Sequence, residues 1–412
     1  MDFRYSETCE HYRTRVQSFM DAHILPRVPQ AQREEHDGKY PFSFMEDLKA
    51  LAKSEGLWNL FLKHLKPDEP GKGLSNLDYA PVAEIMGRVG WASEVFNCNA
   101  PDTGNMELLH MFATPAQAER WLKPMLNGEF HSAFAMTEPD VASSDATNIQ
   151  TSIRKEGSEY VINGRKWFIT NLNRSDCRLI IVMGKTDFGG SVHRQQSMVL
   201  VPRDTPGVEV VRNISTLNHV ANIGHCEVVF RNVRVPVENL LGEEGGGFAM
   251  SQARLGPGRI HHCMRAIGLA ELSLELMCER AKDRKTFGKY LAEHGSVGDA
   301  IAYSRIEIDQ ARLLVLRAAW LIDTVGAAGA RKEISMIKAA VPSVLTRVAD
   351  RAIQIHGAMG VSPDTPLADI YTAGRTMRIV DGPDAVHLRV VARAEFGDDG
   401  GRRARLASHL AA

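Results

Sequence analysis

The order of sequence patterns along the chain predicts an α+β protein in which a β domain lies between two helical domains. Apolar residues recur at helical spacing over 1–130. Short β-branched segments, separated by Gly, Asn and Pro, fill 131–242, as in a small antiparallel sheet or barrel. Helical spacing then returns over 243–412. These ranges are the expected N-terminal helical domain, middle β domain and C-terminal helical domain.

The N-terminal block contains two helix signals. The stretch PFSFMEDLKALAKSEGLWNLFL places apolar side chains on one helical stripe, namely Phe42, Met45, Leu48, Leu51 and Ala52. Farther along, Pro115 follows Thr114, and Gln117 stands two residues later. This spacing predicts a helix that begins at Pro115 and has a capping box between Thr114 and Gln117.

The other two blocks differ from each other in the period of their apolar residues. The strands expected in the middle block are YVINGRKWFIT, LIIVMGKT, SMVLVPR, VEVVRN and HCEVVFRNVRVP. In the last block, IAYSRIEIDQARLLVLRAAWLIDTVGAA and EISMIKAAVPSVLTRVADRAIQIHGAMG are amphipathic at the helical period. These two segments predict long helices.

Composition narrows the class of protein and its partners. Of the 412 residues, 44% are hydrophobic and 24% are charged, which is typical of a soluble protein with a large core. Lys and Arg number 49 against 50 Asp and Glu, a balance that argues against a nucleic-acid partner. The N-terminus lacks the apolar centre of a signal peptide, and no apolar segment is long enough to span a membrane. The 6 cysteines form no C-x-x-C pair, so we expect free thiols and a cytoplasmic protein.

Several polar stretches allow either a structural or a ligand-binding interpretation. FAMTEPDVASSDATN, at 134–148, either caps helices or forms a polar loop whose hydroxyl and N–H groups bind a ligand ring and its phosphates. GRKWFITN, at 164–171, ends a strand in which alternation puts Trp167 and Ile169 on one face. Phe168 and Thr170 then share the other face, either as core residues or as a wall and a donor for a flavin ring.

The C-terminal block offers three more stretches of this kind. ERAKDRKTFGKYLAEH, at 279–294, is either a solvated basic face or a clamp for a pyrophosphate. QIHGAMG, at 354–360, lacks the full glycine spacing of a dinucleotide-binding fold. His261, His262 and Cys263 have no partners at metal-ligand spacing, so we expect no metal site there.

The stretch MRIVDGPDAV, at 377–386, raises the question of what Asp381 does. Asp, Gly and Pro together are strong turn formers, so Asp381 is either a loop tip or a catalytic base at the end of an apolar approach. These ten residues alone favour the loop tip.

Four motifs together resemble the acyl-CoA dehydrogenase family. They are T-E-P followed by S-D, K-x-W/F-I-T-N at a strand, R-x-T-F-G, and Q-I-x-G-x-x-G, in this order and over essentially the whole chain. The subgroup that it resembles most is acyl-CoA dehydrogenase family members ten and eleven, in their dehydrogenase part. The resemblance implies an N-terminal helical domain, a middle β-barrel-like domain and a C-terminal four-helix bundle. It also implies FAD between the middle domain and the bundle, in a homodimer or homotetramer.

The resemblance assigns roles to individual residues. The residues expected to bind the flavin are Phe134, Met136, Thr137, Ser143, Ser144, Phe168, Thr170, Arg284, Thr286, Phe287, Gln354, Gly357, Pro383 and Asp384. One extra residue in the T-E-P loop leaves open which of Ser143 and Ser144 faces the flavin and which faces the substrate. Ser144, Arg254 and Gly382 are expected to bind the substrate. The set from Arg284 to Gly357 would hold the flavin of a neighbouring subunit.

Aligned on its glycine with the family's I-Y-E-G-T, the IVDGP stretch puts Asp381 at the catalytic Glu and Val380 at the Tyr. The residue before Arg254, where some relatives carry their base, is Ala253. The resemblance therefore implies flavin-dependent α,β-dehydrogenation of an acyl-CoA, with Asp381 as base and an electron-transfer flavoprotein as acceptor. Because Asp381 and Val380 are small for these places, we expect room for a bulky or substituted acyl chain. The alternatives are a flavin oxidase of the nitroalkane-oxidase kind, and a non-enzymatic assembly factor.

Overall fold

The computed structural model describes residues 4–218 and 223–397, together with 401, 405, 406 and 409. The N-terminal block is helical. Its helices are α1 (Glu7–Phe19), α2 (Val28–His36), α3 (Met45–Ser54), α4 (Asn76–Gly87), α5 (Ala92–Val95), α6 (Asp102–Phe112), α7 (Pro115–Gln117) and α8 (Lys123–Asn127). The predicted capping box is confirmed, since the Gln117 N–H donates to Thr114 Oγ1 at 3.3 Å and the Thr114 N–H to Gln117 Oε1 at 3.0 Å.

The middle block is a sheet. Its strands are β1 (His131–Ala135), β2 (Ser152–Glu156), β3 (Glu159–Thr170), β4 (Cys177–Lys185), β5 (Gln196–Pro202), β6 (Val208–Asn213), β7 (His225–Pro236) and β8 (Leu240–Leu241). The order across the sheet is β6-β7-β3-β2-β4-β5-β8, with β1 paired to β4. Most pairs are antiparallel, but β1 and β2 both run parallel to β4, so the sheet is mixed where the sequence predicted an antiparallel one.

The C-terminal block is a helical bundle. Its elements are α9 (Gly247–Asp283), the hairpin β9 (Lys285–Thr286) and β10 (Lys289–Tyr290), α10 (Gly295–Gly329), α11 (Arg331–His356), α12 (Leu367–Met377) and α13 (Asp384–Gly397). The two long amphipathic segments form α10 and α11, as predicted. Helices α9, α10 and α11 pack against one another, while α12 and α13 pack on α11. The α+β class and the helical, sheet, helical order are confirmed; the domain limits stay a prediction.

Helix α9 connects the two helical blocks, because it also packs on α4 and α6. Gly268 allows a close approach to α4, since a Cβ at this position would lie 2.0 Å from the Glu84 carbonyl oxygen. This contact fixes α9 relative to the N-terminal block.

Three further properties of the described residues bear on function. The helices there are too short or too polar to cross a bilayer. No cluster of three or more His, Cys, Asp or Glu side chains in this part of the chain has the arrangement of a metal site. The cysteines are free thiols, as their spacing predicts.

Candidate active site

Asp381 lies on the short turn between α12 and α13. Its backbone has a φ of 53°, a left-handed conformation that Asp adopts more readily than most residues. Gly382 follows with a φ of 104°, and a Cβ there would lie 2.7 Å from His387 Nε2. His387, on α13, donates from Nε2 to the Asp381 carbonyl oxygen at 3.2 Å. The turn therefore requires glycine at 382 and is fixed from the α13 side.

Two basic side chains from other helices bind the carbonyl groups of the same turn. Arg259 of α9 donates from Nε to the Asp381 carbonyl oxygen at 2.9 Å. Lys338 of α11, which is fully buried, donates from Nζ to the carbonyl oxygens of Met377 at 2.5 Å and Gly382 at 3.3 Å. Because α9, α11 and α13 all contact the turn, the backbone of Asp381 has little freedom to move.

The Asp381 carboxylate faces a positive environment. His262 Nε2, on α9, lies 3.2 Å from Asp381 Oδ2, and both side chains are partly exposed. Burial acts to raise the pKa of Asp381, but the His262 contact and the charges of Arg254 and Arg259 outweigh it. The pKa of this carboxyl group is therefore held well below its usual range, and Asp381 is ionised at neutral pH.

Arg254 belongs to a chain of buried hydrogen bonds that joins all three blocks. Its Nε donates to Asn105 Oδ1 at 3.0 Å, and Asn105 Nδ2 donates to Ser132 Oγ at 2.8 Å. Ser132 Oγ in turn donates to Asp102 Oδ1 at 2.7 Å. The guanidinium carbon lies 4.1 Å from the centre of the Phe134 ring, which is a favourable cation–π arrangement. Arg254, predicted to bind substrate, and Phe134, predicted to line the flavin, are thus neighbours.

A second carboxyl group, that of Glu107, lies on α6 close to Arg254. Burial raises the pKa of Glu107 to about 8, and the charge of Arg254 offsets this only in part. Its Oε2 atom is buried without a hydrogen-bond partner among the described residues. Ala253 precedes Arg254 and Gly258 precedes Arg259, so neither of these positions carries a carboxylate.

The T-E-P loop is held by a buried ion pair. Lys166, fully buried on β3, donates from Nζ to Glu138 Oε1 at 2.8 Å and to the Met136 carbonyl oxygen at 2.7 Å. Ser143 Oγ accepts the Glu138 N–H at 2.8 Å and is therefore used inside the loop. Ser144 is exposed, and its hydroxyl has no partner within the described residues. Of the two serines, Ser144 is the one whose hydroxyl is available to a ligand.

A β-bulge lies next to this loop. The pairing of β3 with β7 shifts between Lys166 and Ile169, and Phe168 has a φ of 54°. The strict alternation predicted for this stretch is therefore wrong, because the extra residue of the bulge changes the direction of the side chains. Thr137 fixes the bulge from the loop side, with Oγ1 donating to the Trp167 carbonyl oxygen at 2.6 Å. Thr170 Oγ1 lies 3.1 Å from His225 Nδ1.

The arrangement of bulge and loop fits a flat ligand with polar edges. Phe168 exposes 42% of its surface although it is a large apolar residue. A positive φ in an aromatic residue is uncommon and concentrates at functional sites. An exposed ring beside the hydroxyl and N–H groups of the T-E-P loop is suited to an isoalloxazine ring.

The remaining predicted cofactor residues fall into two groups. Pro383 directly precedes α13 and Asp384 is its first residue, and Asp384 Oδ2 accepts from Arg378 Nε at 2.7 Å. The other group lies at the ends of α9 and α11 and is exposed except for the half-buried Thr286: Arg284, Thr286, Phe287, Gln354 and Gly357. Phe287 is 96% exposed, and the Arg284 guanidinium has no ion-pair partner in the part of the chain that the structure describes.

Sequence reasoning missed the groups that surround Asp381. The sequence interpretation does not assign Arg259, His262 or Lys338 to the site. A signal was present, since Arg259 and His262 are three residues apart and so share a face of α9. No sequence signal marks Lys338, because its burial is evident only from the packing of α11 under the turn.

The chain is similar to one protein family over almost all of its length. The family models for the N-terminal, middle and C-terminal domains of acyl-CoA dehydrogenase match residues 6–129, 133–233 and 245–396. The protein named "Probable acyl-CoA dehydrogenase FadE2" of Mycobacterium tuberculosis (strain ATCC 25618 / H37Rv) is 53% identical over 407 residues, which cover 96% of this chain and 97% of that protein.

Two other relatives extend the comparison. Acyl-CoA dehydrogenase family member 11 of Homo sapiens is 49% identical over 397 residues, which cover 94% of this chain but 50% of that longer protein. The solved structure of butyryl-CoA dehydrogenase from Megasphaera elsdenii superimposes with a TM-score of 0.82 at 28% identity, covering 96% of this chain and 100% of that one. The chain therefore belongs to the acyl-CoA dehydrogenase family of FAD-dependent enzymes, and the family, enzyme class and cofactor predicted from the sequence are confirmed.

Proposed function

We propose that this chain removes the α- and β-hydrogens of an acyl-CoA thioester, with Asp381 as the base that takes the α-proton. One observation carries this proposal: the carboxylate lies on a turn whose carbonyl groups are bound by Arg259 and Lys338 from separate helices. A base must meet its C–H bond in a fixed geometry. A loop tip that only reverses the chain has no need of cations from two other helices.

The residues around the turn divide the chemistry among them. Asp381 takes the α-proton, and the electron pair of that C–H bond becomes part of the new double bond. The hydride that leaves the β-carbon needs an acceptor, which bound FAD would supply. The Asp381 N–H has no acceptor among the described residues and is suited to donate to the thioester oxygen, where negative charge develops.

Ligand binding must also strengthen the base. Asp381 with a lowered pKa is a weak base before the substrate arrives. Ile379 and Val380 are 58% and 39% exposed, so an acyl chain or pantetheine arm can cover them and displace water. Loss of that water raises the pKa of a carboxyl group. We therefore expect the basicity of Asp381 to increase when the substrate covers Ile379 and Val380.

The cofactor is proposed to lie along the bulge and the T-E-P loop, with its far half held by a neighbouring subunit. Phe134, Met136, Thr137, Phe168 and Thr170 would contact the ring. Ser144 would then serve the phosphates or the thioester ligand, because Ser143 is used inside the loop. The exposed Arg284 and Phe287 would reach the flavin of the partner.

An apolar stripe on α10 supports a homo-oligomer of this kind. Exposed apolar residues recur there at helical spacing: Tyr303, Ile306, Leu313 and Trp320. Each exposes at least half of its surface in the single chain, and exposed apolar stripes mark protein interfaces. A homodimer or homotetramer would bury them.

Arg284→Ala is expected to weaken FAD retention while leaving the fold intact. A charge-assisted contact between arginine and phosphate contributes about 1.5–3 kcal/mol, so FAD affinity should fall by about 10–100-fold. The measurement is FAD content after gel filtration, with the oligomeric state read from the same run. Lys282→Ala is the matched control, since Lys282 is also exposed near this end of α9 and pairs with Glu279. Equal FAD content in the wild type and both variants would show that this stretch is a solvated basic face and does not bind FAD.

The electron acceptor distinguishes the proposed dehydrogenase from a flavin oxidase of the same fold. The dehydrogenase should stay reduced in air for minutes and reoxidise at once with an electron-transfer flavoprotein. An oxidase would reoxidise quickly with oxygen alone and would not need the thioester. Fast reoxidation in air after reduction by a nitroalkane would show that the protein is an oxidase and not a dehydrogenase.

The acyl pocket is expected to accept a bulky or substituted chain, because Asp381 and Val380 are both small for their places. The test is a panel of acyl-CoA thioesters scored by anaerobic bleaching of the flavin, comparing straight short chains with branched and hydroxylated ones. Branched or substituted chains should reduce the flavin fastest. Fastest reduction by butyryl-CoA would contradict this expectation without affecting the role of Asp381.

A further inference from the structure

His262 stands between Asp381 and a second arginine. Its Nε2 lies 3.2 Å from Asp381 Oδ2, while its Nδ1 lies 3.4 Å from Arg265 Nη2 on the next turn of α9. Arg265 is itself oriented by the Cys98 carbonyl oxygen, which accepts from Nη1 at 3.4 Å. The ring therefore has a cation on one side and a carboxylate on the other.

This arrangement fixes which nitrogen of His262 carries hydrogen. A guanidinium group has only donors, so Nδ1 must be the acceptor of the Arg265 contact. A neutral ring with an acceptor at Nδ1 carries its hydrogen on Nε2, facing Asp381. If Nδ1 were protonated, its N–H would face the Arg265 N–H, and this contact would have two donors and no acceptor. Arg265 thus favours the neutral ring and one tautomer of it.

We infer that His262 is a positioning residue for the base, and that Arg265 keeps it neutral. The neutral Nε2–H holds Asp381 Oδ2, which leaves Oδ1 as the oxygen that meets the α-proton. The proton stays on Asp381, because Nε2 already carries hydrogen and Nδ1 faces the guanidinium. This inference rests on the proposed role of Asp381 and adds how its carboxylate is oriented.

The charged groups around the pair explain why a neutral ring matters. Arg254, Arg259 and Arg265 of α9 and Lys338 of α11 already act on Asp381 or His262, and His387 of α13 contacts the same turn. Burial lowers the pKa of His262, and Asp381 offsets this only in part. A charged imidazole in direct contact would lower the proton affinity of Asp381 further, and the base would be lost.

The first test compares His262→Leu with His262→Gln. Leucine removes the donor, and a displacement of about 1 Å can slow a reaction by about 10²-fold, so anaerobic flavin bleaching should slow by about 10–100-fold. The glutamine amide nitrogen reaches the place of Nε2 and should recover most of that loss. Exchange of the thioester α-hydrogen with D2O, read by mass spectrometry, should follow the same order, although it needs no net oxidation. FAD content and thermal melting show that each variant is folded.

The second test changes the pH profile through Arg265. In the wild type the bleaching rate should stay level down to about pH 6, since Asp381 remains ionised. Arg265→Met removes the cation that opposes protonation of His262. Burial still lowers the pKa of His262 in this variant, so the rate should fall as pH decreases and should begin to fall at a higher pH than in the wild type. The double variant Arg265→Met/His262→Gln should lose this acid limb, because glutamine does not titrate.

The outcomes distinguish the positioning role of His262 from the proposed role of Asp381 as the base. If His262→Leu bleaches and exchanges at the wild-type rate, or if the acid limb persists in the double variant, His262 does not position the base. Asp381→Asn can still be inactive in that case, and the proposed function then stands. If Asp381→Asn itself reacts at the wild-type rate, both fail.

Discussion

Asp381→Asn is expected to slow flavin reduction by about 10²–10⁴-fold while FAD and the thioester still bind. Asparagine has nearly the shape of aspartate and tolerates the same left-handed turn, so the contacts of Arg259, Lys338 and His387 with the backbone remain. What is lost is the ability to accept a proton. A residue that only shapes the turn would tolerate this change.

Two further variants sharpen the assignment. Asp381→Glu restores the length common in the family, but the carboxylate would be displaced in a site built around the shorter side chain. We expect activity between that of the wild type and that of Asp381→Asn. Glu107→Gln is the matched carboxylate control, because the Glu107 carboxyl group also lies near Arg254 and burial raises its pKa. Its rate should stay within a few-fold of the wild type; a loss as large as that of Asp381→Asn would move the base to α6.

Lys166→Met should have the largest effect on stability and on cofactor retention. Lys166 and Glu138 are both buried, and their ion pair holds the loop that begins at Met136. Burial lowers the pKa of Lys166 to about 8, although Glu138 favours the charged form. Removing one member of a buried pair costs about 3–5 kcal/mol, since the other charge stays behind. The free energy of unfolding and the FAD content should both fall.

A double-mutant cycle separates the ion pair from simple loss of packing. In the wild type the Gln150 N–H donates to Glu138 Oε2 and the Thr151 N–H donates to Glu138 Oε1. Glu138→Gln removes the charge and keeps one oxygen, which can accept one of these two N–H groups. In Lys166→Met/Glu138→Gln neither charge is buried, so the double variant should be more stable than Lys166→Met alone. Urea unfolding of the four proteins gives the coupling. Additive losses would show that Lys166 acts through packing only.

The sequence predicted the fold well because the relevant signals are local or periodic. The Thr114–Gln117 capping box, the strands of the middle block and the helices α10 and α11 follow from spacing along the chain. The bulge at Phe168 could not be predicted, because alternation assumes regular pairing, and the register shift depends on the partner strand β7. The parallel pairing of β1 with β4 is likewise a long-range event.

The candidate site was predictable only in part, and for the same reason. The motifs led to Asp381, Arg254 and the T-E-P loop, but not to the side chains that hold them. Lys338 and Asp381 are far apart in the sequence and meet only through the packing of α11 beneath the turn. The lowered pKa of Asp381 was also missed, because it depends on His262, Arg254 and Arg259 together.

The most direct test of the central claim is anaerobic stopped-flow bleaching of the flavin in wild type and Asp381→Asn. Both proteins should first be matched in FAD content and mixed with a saturating amount of the best thioester of the panel. The wild type should bleach rapidly, and the variant should bleach at a rate lower by about 10²-fold or more. Its FAD spectrum should still respond to the bound thioester. Bleaching of Asp381→Asn at the wild-type rate would contradict the assignment of Asp381 as the α-proton base.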